Sequence, residues 1–230
     1  MTTLLIATRN AHKVAEIQAI LGTGFACRPL LAEFPAAPIA VEDADTFAGN
    51  ALKKAESLSH WLAASLEAGG SRDGRPTIGA TRTFVLADDS GLEVDALGGA
   101  PGVHSARFAA MESGRDGNSP DADNNAKLLR LLATVPREKR TARFRCALAL
   151  VEFFPSGAGQ KAPHLFDGAC EGWIDFAPRG NGGFGYDPLF IPTGRDQSFA
   201  ELGEDVKNGI SHRAKALAGL REWFGRSGGK

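Results

Sequence analysis

Three short stretches of this 230-residue chain carry the residue types that do chemistry, and each sits where a helix or strand should end. The first, Thr8-Arg9-Asn10-Ala11-His12-Lys13, joins an apolar run to an amphipathic one. A helix starting there presents unsatisfied backbone N–H groups and the positive end of its dipole, and Thr8 or Asn10 can cap it. Arg9, His12 and Lys13 are thus cations at the end that disfavours them, a conflict that a bound anion removes. Ser211-His212-Arg213-Ala214-Lys215, with Lys207 just upstream, repeats the pattern: a serine cap followed by cations in the first turn. Solvated side chains account for either stretch alone. Two such helix starts in one near-neutral chain favour a shared anionic ligand, a phosphate or a polarised carbonyl.

The third stretch, Asp88-Asp89-Ser90-Gly91, ends the apolar run Phe84-Val85-Leu86-Ala87, the strand end at which open α/β sheets place ligands. With Glu42, Asp43 and Asp45 ahead of a long helix, these carboxylates can hold Mg²⁺, which takes one or two carboxylates, waters and substrate phosphates. A turn with its side chains folded onto the backbone, and an acidic helix start, fit the same residues. Gly180-Asn181-Gly182-Gly183-Phe184-Gly185 matches G-x-G-x-x-G, yet Tyr186-Asp187-Pro188 and apolar Leu189-Phe190-Ile191 follow where a dinucleotide fold needs a helix. A glycine-rich loop that brings Phe184 or Tyr186 against a flat ligand is the better reading.

The elements that must position these residues follow from periodicity. Thr3 to Ala7 predicts a buried strand, and Val14, Ile17, Ile20 and Leu21 predict a helix over about 11–21. Phe25 to Leu30 reads as a second strand. Phe47, Ala51, Ala55, Leu58, Leu62 and Leu66 share one face of a long helix starting near Thr46. The stretch from Gly69 to Arg82 reads as a surface insertion. Asp121 or Asp123 can cap a helix through Leu132 that Pro136 stops. Ala142 to Phe154 and Leu165 to Phe176 read as strands joined at Pro155-Ser156-Gly157. A last helix spans about 211–224, with Ala214, Leu217, Leu220 and Phe224 inward. The order predicts an α/β fold with mixed strand pairing.

Composition narrows the function classes. Lys and Arg number 26 against 27 Asp and Glu, a net charge of −1, which excludes a protein that coats nucleic acid or membranes by bulk charge. Cys27, Cys146 and Cys170 form no C-x-x-C pair and suit a reducing cytoplasm. The apolar run Leu4 to Ala7 is too short for a signal-peptide core, and no stretch approaches a membrane span. The expectation is a soluble cytoplasmic protein.

In this order the segments resemble the inosine triphosphate pyrophosphatase family (dITP/XTP pyrophosphatases) over nearly the whole chain. The resemblance rests on T-R-N-A-H-K at 8–13, D-T-F-A-G-N-A-L-K-K-A at 45–55 and A-D-D-S-G-L at 87–92. L-G-G-A-P-G at 97–102, G-G-F-G-Y-D-P at 182–188 and S-H-R at 211–213 complete it. It implies a single nucleoside-triphosphate pyrophosphatase domain over residues 1–230, an elongated mixed-sheet α/β fold of two lobes with a deep nucleotide-binding cleft between them. It implies a homodimer that hydrolyses ITP, dITP and XTP to the monophosphate and pyrophosphate with Mg²⁺, without nucleic-acid or membrane partners. It also assigns residues. Thr8, Arg9, Asn10, Ala11, His12 and Lys13 take the triphosphate, and Lys54 is a further phosphate contact. Asp89 is proton acceptor and metal ligand, Glu42 the second metal ligand, and Ser90 a substrate contact. Phe184, Gly185, Tyr186, Asp187, Lys207, His212 and Arg213 bind the base. Gly49 departs from the pattern, standing where many members carry Glu, and the stretches 69–82 and 112–125 are longer than usual.

Overall fold

The computed structural model describes residues 1–67, 82–114, 117–155 and 161–227. The chain forms β1 (Thr2–Ile6), α1 (Ala11–Leu21), β2 (Phe25–Pro29), α2 (Leu30–Glu33), α3 (Phe47–Glu67) and β3 (Thr83–Val94). It continues with α4 (Ala110–Ser113), α5 (Asp121–Leu131), β4 (Thr141–Glu152), β5 (His164–Ile174), β6 (Phe190–Pro192), α6 (Phe199–Ile210) and α7 (His212–Ser227). One six-stranded sheet runs in the order β2-β1-β3-β4-β5-β6. Strand β1 is parallel to β2 and β3, while β5 and β6 are antiparallel, so the fold is the mixed α/β type expected.

The chain packs into two compact units. The first comprises Met1–Asp89, Ala147–Asp167 and Leu217–Lys230; the second comprises Ser90–Cys146 and Gly168–Ala216. In the first, Leu4, Leu5 and Ile6 of β1 are fully buried, as an apolar strand covered on both faces must be. Helix α1 contributes Ile17 and Leu21, and α3 contributes Phe47, Ala51, Ala55, Leu58 and Leu62, the stripe that its 3.6-residue period lays on one face. Trp223 and Phe224 of α7 meet Phe84 edge-on at 6.0 and 5.1 Å, and Phe224 reaches Phe25 at 5.1 Å.

The second unit has its own core, with Leu92, Val94, Phe108, Leu128, Phe144, Tyr186, Phe190 and Phe199 among its members. Arg140 is buried at its edge, where its guanidinium donates to the carbonyls of Leu132, Val135, Ile174 and Asp175 at 2.6–3.3 Å. That is a cation spent on orphan carbonyls just after α5 and at the end of β5, where helix and strand leave acceptors unpaired.

Several sequence expectations need correction. Strand β3 does not stop at Asp88; it runs through Asp-Asp-Ser-Gly to Val94, so these residues form no turn. Helix α5 starts after Pro120 without a side-chain cap, and Asp121 bonds elsewhere. Helix α6, opened by a Ser198/Glu201 capping box, carried a readable signal that hydrophobic periodicity alone missed. The expected insertion at 69–82 lies, apart from Arg82, outside the described residues, as do residues 156 and 157 of the expected turn. Among the described residues no helix is long and apolar enough to cross a membrane.

Candidate active site

In the first unit, Asn10 caps α1, its Oδ1 accepting from the N–H groups of His12 and Lys13 at 2.9 and 3.3 Å. Thr8 Oγ1 accepts from the Asn10 N–H at 3.1 Å, so the loop after β1 is tied by its own side chains. Two of the N–H groups proposed for an anion are therefore already engaged, and what the segment offers a ligand is mainly cationic. Arg9 and His12 are exposed, and Lys13 is half-buried with its Nζ 2.5 Å from Asp88 Oδ1.

Successive side chains of a strand point to opposite faces, so Asp88 and Asp89 do not act as a pair. Asp88 is taken by Lys13. Asp89 belongs to a different group, held by α3 and the loop before it. Lys54 Nζ lies 2.9 Å from Glu42 Oε1, 3.8 Å from Asp89 Oδ1 and 3.2 Å from the Asp88 carbonyl oxygen. Asp89 is only 6% exposed, and burial lifts its carboxyl above the ordinary carboxylate value despite the pull of Lys54 and Lys13; Glu42 and Asp88 add to the rise. Its Oδ2 is buried with no hydrogen-bond partner among the described residues. An orphaned buried carboxylate oxygen facing no donor is costly. Among the described residues no cluster of three metal-ligating side chains forms, and the oxygens that could hold a hard divalent cation here are those of Glu42 and Asp89, on either side of Lys54. Asp43 does not join them; its carboxylate is exposed and paired with Lys53 at 2.6 Å.

The loop bearing Glu42 is set by two residues outside the expected site. Thr46 Oγ1 accepts from the Gly49 N–H at 3.0 Å, capping α3. Asn50, fully buried, accepts from the Ala44 N–H at 2.9 Å and so ties the loop to the helix. A Cβ on Gly49 would stand 2.9 Å from Ala44 Cβ, so a larger residue here needs the loop to shift. A polar residue inside the apolar stripe of α3 was the sequence signal for Asn50.

In the second unit the basic helix start is not solvated. Lys207, His212 and Arg213 are 3%, 4% and 1% exposed. Lys207, on α6, meets Asp187 Oδ2 at 2.5 Å, and the same oxygen accepts from the Phe184 N–H at 3.0 Å. His212 stacks on Phe144 at 4.8 Å, and Arg213 donates to Ser90 Oγ at 2.9 Å. Lys207 lies 4.5 Å over the Phe184 ring centroid and Arg213 lies 5.9 Å from it. Gly183 has a positive φ, and a Cβ there would collide with the Asp187 carboxylate.

The two rings expected to face a flat ligand differ in exposure. Tyr186 is in the core, its hydroxyl donating to the Ser105 carbonyl at 2.8 Å, whereas Phe184 is half-buried. Asp187 likewise is fully buried, and its Oδ2 serves both Lys207 and the Phe184 N–H. Two residues not foreseen, Asp121 and Asn125 of α5, bond to Gly185: Asp121 Oδ2 accepts its N–H at 2.6 Å and Asn125 Nδ2 donates to its carbonyl at 3.0 Å.

A mixed α/β chain with a buried carboxylate–lysine group on a central strand, and buried cations at a helix start behind an aromatic loop, defines the class. The chain belongs to the Ham1 family, whose family model matches residues 4–223. It is 48% identical over 232 residues to the dITP/XTP pyrophosphatase of Geobacillus kaustophilus, covering 100% of this chain and 98% of that one. The dITP/XTP pyrophosphatase of Opitutus terrae is 45% identical, covering 97% and 99%. Among solved structures, a HAM1 protein from Coxiella burnetii is similar with a TM-score of 0.74 at 33% identity, covering 98% of this chain and 100% of that one. A nucleoside-triphosphatase / dITP/XTP pyrophosphatase from Mycobacterium abscessus has a TM-score of 0.64 at 37% identity, covering 96% and 98%.

Proposed function

We propose that this protein hydrolyses the non-standard purine nucleoside triphosphates ITP, dITP and XTP to the monophosphate and pyrophosphate. The observation that carries the reading is Asp89, a buried carboxylate with its charge disfavoured and one oxygen unpartnered, beside Lys54 and Glu42. Arg9, His12, Lys13 and Lys54 neutralise the triphosphate, and Lys13 exchanges Asp88 for a phosphate oxygen. Asp89 accepts the proton of the water that attacks the α-phosphorus, and the bond from that phosphorus to the leaving pyrophosphate oxygen breaks. Glu42 and Asp89 hold Mg²⁺, which when bound supplies Lewis-acid stabilisation of the charge on the phosphates. Most of the acceleration comes from positioning and charge stabilisation, as in phosphoryl transfer generally.

The second unit reads the base. Phe184 stacks on the purine, and Ser90 contacts the substrate. Arg213 and His212 donate towards the 6-oxo edge, where adenine presents a donor instead; a mismatch of that kind gives about 10⁴-fold rejection. Lys207 and Arg213 lie 4.5 and 5.9 Å from the Phe184 ring centroid, so a purine stacked on that ring comes close to both cations. The chain acts as one domain over residues 1–230 and as a cytoplasmic homodimer, which sedimentation of the purified protein checks.

The test is turnover of dITP, XTP, dGTP and dATP with Mg²⁺ and identification of both products. Fast release of pyrophosphate from dITP and XTP, with slow turnover of dATP, is expected. Release of orthophosphate, or equal rates on all four, overturns the assignment.

A further inference from the structure

We propose that Asp121 and Asn125, on consecutive turns of α5, are positioning residues for base recognition. They act through the backbone of Gly185, and the inference rests on the reading of Phe184 as the stacking ring. At positions i and i+4 their side chains share one face of the helix. That face grips both polar atoms of a single peptide residue: Asp121 Oδ2 takes the Gly185 N–H at 2.6 Å, and Asn125 Nδ2 gives to the Gly185 carbonyl at 3.0 Å. Asp187 Oδ2 takes the preceding N–H, that of Phe184, at 3.0 Å. Asp187 and Asp121 thus fix the peptides on either side of the Phe184 Cα, and Asn125 fixes the next one.

Packing anchors the neighbouring Tyr186 in the core but does not reach Gly185 itself. A groove of about 470 Å³ lies between α5 and the loop, lined by Asp121, Asn125, Leu129, Pro178, Phe184 and Gly185. Gly185 contributes no side chain, has a φ of +64°, and a Cβ built on it meets nothing within 4 Å. A loop over open space is held by its hydrogen bonds. The carboxylate–amide bond from Asp121 is charge-assisted and sits at the first turn of α5, where the helix dipole favours the negative charge that makes it. With the backbone held in this way, the ring of Phe184 keeps its place 4.5 Å from the Lys207 ammonium.

The clamp touches neither phosphate nor metal, so removing it should raise KM for ITP and leave the phosphate grip alone. For Asp121→Ala and Asn125→Asp we expect KM for ITP to rise about tenfold, the loss of one strong hydrogen bond, with kcat changed far less. The preference for ITP over ATP should fall. Asp121→Asn keeps an acceptor oxygen and should recover most of the loss. Inhibition by pyrophosphate, which has no base, should match the unaltered enzyme in all three variants, as should the melting temperature of Asn125→Asp. Phe184→Ala separates the two levels of the argument. If it leaves the KM for ITP unchanged, the base reading itself fails. If it raises KM while Asp121→Ala and Asn125→Asp do not, the clamp is overturned. Equal loss of ITP and pyrophosphate binding in the α5 variants also overturns it, since that marks a general loss of structure.

Discussion

At the scale of single residues, Asp89 shows how burial creates function at the expense of stability. Its carboxyl is raised above the ordinary value, chiefly by burial, so ionisation is disfavoured in the folded chain. In metal-free protein this penalty is absent below the ordinary carboxylate pKa, about 3.9, where the group is protonated whether folded or not. It grows as pH rises from there through the raised folded value and is complete above it. Asp89→Asn should therefore melt higher than the unaltered chain at pH 7, with the difference vanishing near pH 3, while turnover with Mg²⁺ nearly disappears. Melting curves across pH, with chelator present, check the first part and pyrophosphate release the second. Lower stability of the variant at pH 7 would mean that Lys54 and Lys13 outweigh burial. The buried pair of Lys207 and Asp187 is of the opposite kind: removing one partner strands a charge and costs about 3–5 kcal/mol, so its single variants report on folding before they report on bases.

At the scale of elements, the start of α3 decides where Glu42 sits. Alanine usually stabilises a helix interior by about 1 kcal/mol over glycine, yet a methyl at position 49 would press on Ala44 at 2.9 Å and on Thr46 Oγ1 at 3.0 Å. Gly49→Ala should show no gain in melting temperature and a several-fold rise in the Mg²⁺ needed for half-maximal turnover. A higher melting temperature with an unchanged Mg²⁺ requirement would show that the loop moves aside cheaply. The elements themselves were largely legible. Helix α1, the stripe of α3 and the apolar strands announce themselves by period, and the bounds of α1 match the sequence expectation. Strand β3 was cut short because Asp-Asp-Ser-Gly has turn chemistry, and only pairing within the sheet overrides that preference. Helix α6 was missed although Leu202, Val206 and Ile210 fall at helical spacing, because Gly203, with a non-helical backbone, interrupts it. In the site, local motifs showed the cations and carboxylates but not their partners. That Lys13 takes Asp88 while Lys54 takes Glu42, and that α5 reaches Gly185, are consequences of long-range packing with no trace in spacing.

At the scale of the whole molecule, the groups assigned to phosphate and those assigned to base fall in different compact units, with Lys13 and Lys54 in the first and Phe184, Lys207 and Arg213 in the second. In the first unit Lys13 and Lys54 bond to Asp88, and in the second Lys207 bonds to Asp187 and Arg213 to Ser90. Losses from variants of the two groups should therefore add in free energy. Lys13→Ala should lower kcat/KM for ITP and ATP alike, by about ten- to a hundredfold for one charge-assisted phosphate contact. Arg213→Ala should lower it for ITP far more than for ATP, and the double variant should show the product of the two factors on ITP. A double variant much less impaired than that product would mean that the two groups act as one.

The division of the chain has a consequence for how the protein is made. Phe25 and Phe84 lie in the first unit's early segment, yet the rings that cover them, Trp223 and Phe224, come from its last one. On a ribosome delivering about 5–20 residues each second, Phe84 of β3 waits several seconds, uncovered, for its partner rings to emerge. The second unit, whose segments are bounded by residues 90 and 216, is fully translated first. The unit that carries Phe184 is thus complete in sequence while the unit that carries Asp89 still lacks its last segment, and a chain ending shortly after residue 216 should expose Phe25 and Phe84 as an aromatic patch.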